Sequence, residues 1–232
     1  KEIGDVIAMM AILAHQGIIN EDVIMRRVPS KLRKLKKYSD IKDLDIIISG
    51  DKLQPAKSGI TVKEISDNIK LDDNLFYFDR KDYFKELSDL TTIRERLGLR
   101  TGINSIERLL NPADSKVAIL GVFHKPFVQK YIDVFSTRYE KLVIIKGNEG
   151  TPEIFGKCQY WIVQNGETQE HTINPEDFGI NYKKSWERIT LEESLHEINN
   201  PSDEFIKIVK LNVAMILFVC GKVDSIKDGY EE

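Results

Sequence analysis

Four stretches of this sequence hold residue types that could do chemistry. The first runs from Asp89 to Asp114, where Arg94, Arg96 and Arg100 stand around a Leu97-Gly98-Leu99 break. Gly98 suits a helix end and Thr101 a helix start, so the arginines fall near a helix–helix junction. A guanidinium fork there fits a carboxylate or a phosphate. The commoner use of such spacing is pairing with nearby acids, here Glu95 and Glu107, on a solvated face. The second stretch is Lys57-Ser58-Gly59, between a strand-like run ending at Gly50 and a helix opened by Thr61 and Glu64. Strand, glycine turn and helix N-terminus compose an anion site of a common kind, and many α/β turns share the pattern without binding anything. The third is Arg26 to Lys37, with Arg26, Arg27, Lys31, Arg33, Lys34, Lys36 and Lys37 and no acid. It would attract phosphates, or form a solvated helix face over Leu32 and Leu35; no aromatic interleaves it before Tyr38. The fourth is the loop Gly147 to Glu153, which follows a strand-like run.

The elements that position these residues are legible from pattern. Residues 3–14 read as an amphipathic helix with Ile3, Val6, Ile7, Met10, Ala11 and Ala14 on one face, and Asn20 caps a second helix. Asp43–Ser49 is a buried, β-branched strand, and Asn74–Phe78 is another. Tyr83, Phe84, Leu87, Leu90 and Arg94 recur at helical spacing, which assigns the aromatics to the core. Val117–Phe123, a helix opening at Pro126, and Leu142–Lys146 form a strand–helix–strand unit with parallel strands. Its following loop lies where open α/β sheets place ligands. Asn165-Gly166 marks a type I′ hairpin between Tyr160–Val163 and Thr168–Ile173. A long helix from Pro201 to Cys220 is apolar on several sides and stops at Gly221.

Composition narrows the class. The chain has 232 residues, 41% hydrophobic and 31% charged, with a net charge of -3. That is an ordinary globular balance, with no overall pull toward nucleic acid or membrane. Cys158 and Cys220 sit in apolar runs and read as small buried hydrophobes, not as a disulfide or metal framework. His171 and His196 have no acidic or cysteine partner at ligand spacing. The first residues carry no signal-peptide pattern, and Val213–Cys220 is too short to span a bilayer. The expected location is a reducing cytoplasm.

The Asp89–Asp114 stretch resembles the arginine-rich segment of anthranilate phosphoribosyltransferases. That family carries Arg-x-x-Leu-Gly-x-Arg-Thr, then a helix, then Asn-Pro-Ala. Here these are Arg94, Leu97, Gly98, Arg100, Thr101, Asn111, Pro112 and Ala113. The likeness continues through Gly121-Val122, Gly147, Gly150, Glu153, Pro175 to Gly179 and Leu211-Asn212, in family order over nearly the whole chain. It implies an α/β fold: a small helical lobe (1–40 and 80–112) plus a larger lobe (41–79 and 113–232) with a mostly parallel central sheet flanked by helices. It also implies phosphoribosyl transfer from phosphoribosyl pyrophosphate to anthranilate, as in tryptophan biosynthesis, with Mg2+ if the protein is active. A homodimer through the N-terminal helices follows from the same likeness.

The family's chemical motifs are altered. Its Gly-Thr-Gly-Gly-Asp and Asn-x-Ser-Thr segments have no counterpart. Lys-His-Gly-Asn-Arg becomes Ile48-Ser49-Gly50-Asp51-Lys52, Lys-Ser-Gly-Ser becomes Lys57-Ser58-Gly59-Ile60, and the metal-binding Asp-Glu becomes Pro152-Glu153. The pocket histidine falls at Phe84. On this resemblance Arg94 and Phe84 bind substrate, Gly50, Lys52, Lys57, Ser58 and Gly59 face phosphate, and Glu153 holds metal. Losing one stabiliser of the leaving group costs ~10²–10³ in rate. Several are lost here, and Asp51 adds negative charge where phosphates would lie. The expectation is the family fold with weak or lost turnover. Two other roles stay open: a non-catalytic relative binding nucleic acid or another anionic partner through Arg26–Lys37, or a partner subunit.

Overall fold

The structure is a computed structural model describing residues 44–51, 59–71, 74–98, 107, 110–147, 150–184 and 189–231. The expected N-terminal helices and the basic run Arg26–Lys37 lie outside the described residues, as do Lys52, Lys57, Ser58, Arg100 and Thr101. The chain divides into two compact units, Lys1–Pro112 with Trp186–Ser202, and Ala113–Ser185 with Asp203–Glu232. The expected lobes join 41–79 to 113–232. In this division the strands at 46–50 and 75–79 belong instead with the helices that follow them.

In the first unit, Ile46–Gly50 (β1) pairs in parallel with Leu75–Asp79 (β2), Ile46 opposite Leu75 and Gly50 opposite Asp79. Among the described residues the pair stands as its own two-stranded sheet. Between the strands runs Val62–Asn68 (α1), opened by the expected capping box. The Glu64 N–H donates to Thr61 Oγ1 at 3.2 Å, and the Thr61 N–H donates to the Glu64 carboxylate at 2.7 Å. After β2 the chain turns at once into Arg80–Tyr83 (α2), capped by Asp79, then Lys85–Leu97 (α3), which stops at Gly98. Phe84 separates α2 from α3 with φ -150 and ψ 69. The expectation that the aromatics here are core does not hold for Phe84, which is 38% exposed. The buried face of α3 is Leu87, Ser88, Thr91 and Arg94, three of them polar. Such a face folds only if its polar atoms find partners. A later helix, Leu191–Asn199 (α5), belongs to this unit and has its own capping box, from Thr190 and Glu193.

In the second unit, Val117–Gly121 (β3), Pro126–Phe135 (α4) and Lys141–Lys146 (β4) form the expected strand–helix–strand, with β3 and β4 parallel. Cys158–Gln164 (β5) and Glu167–Ile173 (β6) add an antiparallel hairpin, so the sheet is mixed, in the order β3-β4-β5-β6. The hairpin turn has positive φ at Asn165 (54°) and Gly166 (79°), as a type I′ turn requires. Leu142, Val143, Ile144 and Ile145 of β4 are all buried, because both faces of that strand are covered. The outer strand β6 keeps a polar, exposed Glu167–Glu170 run, which discourages edge pairing. Asp203–Val219 (α6) buries Phe205, Ile208, Leu211 and Met215, and Ile226–Glu231 (α7) follows. Cys158 and Cys220 are half-buried free thiols, less enclosed than their apolar neighbours imply. Among the described residues no helix is long and apolar enough to cross a membrane.

Candidate anion site and the loop carrying Glu153

The polar face of α3 is met by two acids. Asp51, directly after β1, is only 5% exposed. Its carboxylate accepts from Arg80 Nη1 at 3.2 Å, Ser88 Oγ at 3.2 Å and Thr91 Oγ1 at 2.7 Å. Glu107 accepts a hydrogen bond from Arg94 Nη1 and forms an ion pair with Arg80 Nη1 at 3.0 Å. Among the described residues, two guanidiniums and two carboxylates make the cluster formally neutral, the usual condition for burying charge. Asp51 is therefore not the bare charge that its place in the sequence implies, because Arg80 offsets it. Arg94 pairs with Glu107, one of the acids expected, but inside the fold and not on a solvated face: Arg94 is 2% exposed.

The cluster leaves donors unmet. Arg94 Nε and Nη2 and Arg80 Nε are buried without an acceptor. Nε and Nη2 form the side-on edge with which a guanidinium grips a carboxylate through two hydrogen bonds. Burying such donors without a protein acceptor is costly.

The other expected substrate and phosphate residues fall as follows. α3 is continuous, so the ten residues from Phe84 to Arg94 separate them by about 15 Å along its axis. One small aromatic acid does not reach both. Ile48, at the family's lysine position, is buried in β1. Ser49, at the histidine position, shares a hydrogen bond with the Tyr83 hydroxyl. Gly50 faces Tyr77, whose hydroxyl is buried without a partner; burial, then Asp79 and Asp51, push that phenol above its usual range. Gly59 is exposed with φ +133.

Glu153 lies in the second unit, in the loop between β4 and β5, and is 1% exposed. This loop sits hard against the ends of β3 and β4. A Cβ on Gly121 would stand 2.4 Å from the Gly150 carbonyl oxygen, and one on Gly147 would stand 2.2 Å from that of Thr151. Both positions therefore need glycine for close approach. Asn212 of α6 ties down the residue after Glu153. Its Oδ1 accepts the Ile154 N–H at 2.8 Å, and its Nδ2 donates to the carbonyls of Ile154 at 3.0 Å and Ile208 at 2.8 Å. A magnesium ion is held by accessible carboxylate oxygens shared with water and phosphate. Here proline replaces one acid and the other is buried, and among the described residues no three His, Cys, Asp or Glu side chains gather as ligands. The described residues do not fit magnesium.

The sequence pattern does not single out Arg80, Ser88 or Thr91. The available signal was the polar character of the inward positions of α3, which periodicity alone reads as a solvated face. Asn212 was visible only as part of a motif, without its role as a backbone clamp.

These parts define a class first: an α/β protein of two units, one holding a buried arginine cluster and the other a glycine-bounded loop after parallel strands. Residues 49–232 match the family model described as "Glycosyl transferase family, a/b domain", and the chain belongs to that family. An uncharacterized protein of Aquifex aeolicus is 29% identical over 182 residues, covering 75% of this chain and 59% of that protein. The anthranilate phosphoribosyltransferase of Sulfurisphaera tokodaii is 25% identical over 194 residues, covering 79% of this chain and 56% of that enzyme. The chain thus spans less than two thirds of the length of these relatives. Among solved structures, the Saccharomyces cerevisiae anthranilate phosphoribosyltransferase with 4-fluoroanthranilate superposes with a TM-score of 0.64 at 18% identity, over 99% of this chain and 63% of that one. The same enzyme with PRPP and Mg gives 0.61 at 17% identity, over 97% and 62%. At these identities the structural likeness establishes the fold.

Proposed function

We propose that this chain keeps the carboxylate-binding half of an anthranilate phosphoribosyltransferase-like site and has lost the diphosphate half. It would bind a small aryl carboxylate at Arg94, without phosphoribosyl transfer at the rate of an active family member. One observation carries the reading: Arg94, the counterpart of the family's carboxylate-facing arginine, is buried with its Nε–Nη2 edge lacking an acceptor. The yeast structure with 4-fluoroanthranilate supplies the ligand class, a carboxylate on an aromatic ring. Against transfer stand Ile48, buried where the family has lysine, and Pro152-Glu153, where it has two acids. Phe84 falls outside this site.

Thermal melting with ligands tests both halves. Benzoate should raise the wild-type melting temperature weakly, at millimolar concentration, and Arg94→Lys should remove the rise. Phosphoribosyl pyrophosphate with magnesium should give no rise at millimolar levels. A rise with the diphosphate, or a benzoate response that survives Arg94→Lys, refutes the corresponding half.

A further inference from the structure

Glu107 has an unusual position among the acids of the first unit. A single oxygen, Oε1, serves both Arg80 and Arg94, and the side chain is 11% exposed. We propose that Glu107 is a built-in competitor: it occupies the arginine pair in place of an external carboxylate, which gains Arg94 only as Glu107 withdraws. The inference rests on the carboxylate reading above and adds how that site is controlled.

Charge is the first argument. With Glu107 in place, Arg80 and Arg94 are balanced by Asp51 and Glu107. An additional carboxylate would leave one uncompensated negative charge in a buried cluster, which is strongly disfavoured. Entry of a ligand carboxylate and presence of Glu107 are therefore mutually opposed.

The two acids also differ in how readily they can yield. Asp51 is gripped by three side chains, Arg80, Ser88 and Thr91, all from α2 and α3. Glu107 lies beyond Gly98, where α3 has already ended, and its carboxylate is held by the two arginines alone among the bonds described. Glu107 can leave the cluster without unwinding α3, whereas Asp51 cannot turn away without abandoning three donors.

The test uses the full chain, sodium benzoate as probe and sodium chloride at matched ionic strength as control. Glu107→Gln keeps the side-chain size and one acceptor while removing the charge. Calorimetry should show this variant binding benzoate at least ~10-fold more tightly than wild type, the smallest gain expected from removing a like charge from a buried site. The gain should vanish in the double variant Arg94→Lys with Glu107→Gln. If Glu107→Gln melts too low for calorimetry, its melting temperature must climb more steeply with benzoate than that of wild type; an equal slope overturns the proposal. Wild type binding through Arg94 as tightly as Glu107→Gln also overturns it, and leaves the carboxylate reading standing. No binding by either protein overturns both.

Discussion

Asn212 clamps the loop that carries Glu153 through its amide, and removing that amide should cost far more than a typical surface change. In Asn212→Ala, the Ile154 N–H and C=O lose their partners together, and Ile154 is 0% exposed. A buried backbone group left unmet costs ~1–3 kcal/mol, so two give roughly 2–6 kcal/mol. The Ile208 carbonyl loses only a second bond, because the helix ladder still serves it. Taking about 3 kcal/mol, and ~2–4 °C per kcal/mol for a chain of this size, the melting temperature should fall by roughly 6–12 °C. Differential scanning calorimetry and urea titration of both proteins would measure it. Asn212→Asp sharpens the test: it can still accept from Ile154 N–H, but it turns carboxylate oxygens toward two carbonyls. Burial and those carbonyls raise its folded pKa, so the added penalty is present above the unfolded carboxylate pKa of ~3.9 and shrinks as pH falls toward it. A fall below ~2 °C for Asn212→Ala would refute the reasoning, since water would then be replacing the amide.

Three further changes are tested more simply. Tyr77→Phe removes a buried hydroxyl that has no partner, and should raise stability by up to ~1 kcal/mol in urea. Because the Tyr77 phenol is pushed upward, its neutral form favours the folded state; wild type should lose stability as pH rises above ~10, and Tyr77→Phe should lose less. Gly121→Ala places a Cβ 2.4 Å from a backbone oxygen and should cost ~1–3 kcal/mol, read as a lowered melting temperature. Burial pushes the Cys158 thiol from 9.0 up to about 12 and also raises Cys220, so a disulfide reagent at neutral pH should label the folded protein far more slowly than the urea-unfolded chain.

The local elements were legible because their signals are local. The Thr61–Glu64 capping box, Pro126 at a helix start, the Asn165-Gly166 turn and the stops at Gly98 and Gly221 depend on a few adjacent residues, and all stand where the sequence puts them. The buried cluster was not legible. Asp51 and Thr91 are 40 residues apart in sequence, and Asp51 and Arg80 are 29 apart. No spacing rule joins a residue after a strand to the first turn of a later helix. Arg94 shows the same limit: periodicity puts it on a helix face, but whether that face meets water or a second acid depends on where Glu107 returns.

The departures from the family pattern make sense together and not singly. A neutral asparagine at position 51 would leave Arg80 and Arg94 facing only Glu107, and the buried cluster would carry a net positive charge. Asp51 restores neutrality, with Arg80 as its partner at 3.2 Å. The charges of the described cluster then balance without an external anion, although the Nε–Nη2 edge of Arg94 still lacks an acceptor. Replacing Asp51 alone by the family's asparagine should therefore destabilise the protein. Asp51→Asn breaks a buried pair, typically a loss of ~3–5 kcal/mol, reduced here because Glu107 also holds Arg80 at 3.0 Å. A double-mutant cycle with Arg80→Met should show coupling of about 2 kcal/mol, since removing both charges also removes the conflict. Additive losses in urea would mean that the two residues do not form a unit, and the account of Asp51 as an internal counter-charge would be withdrawn.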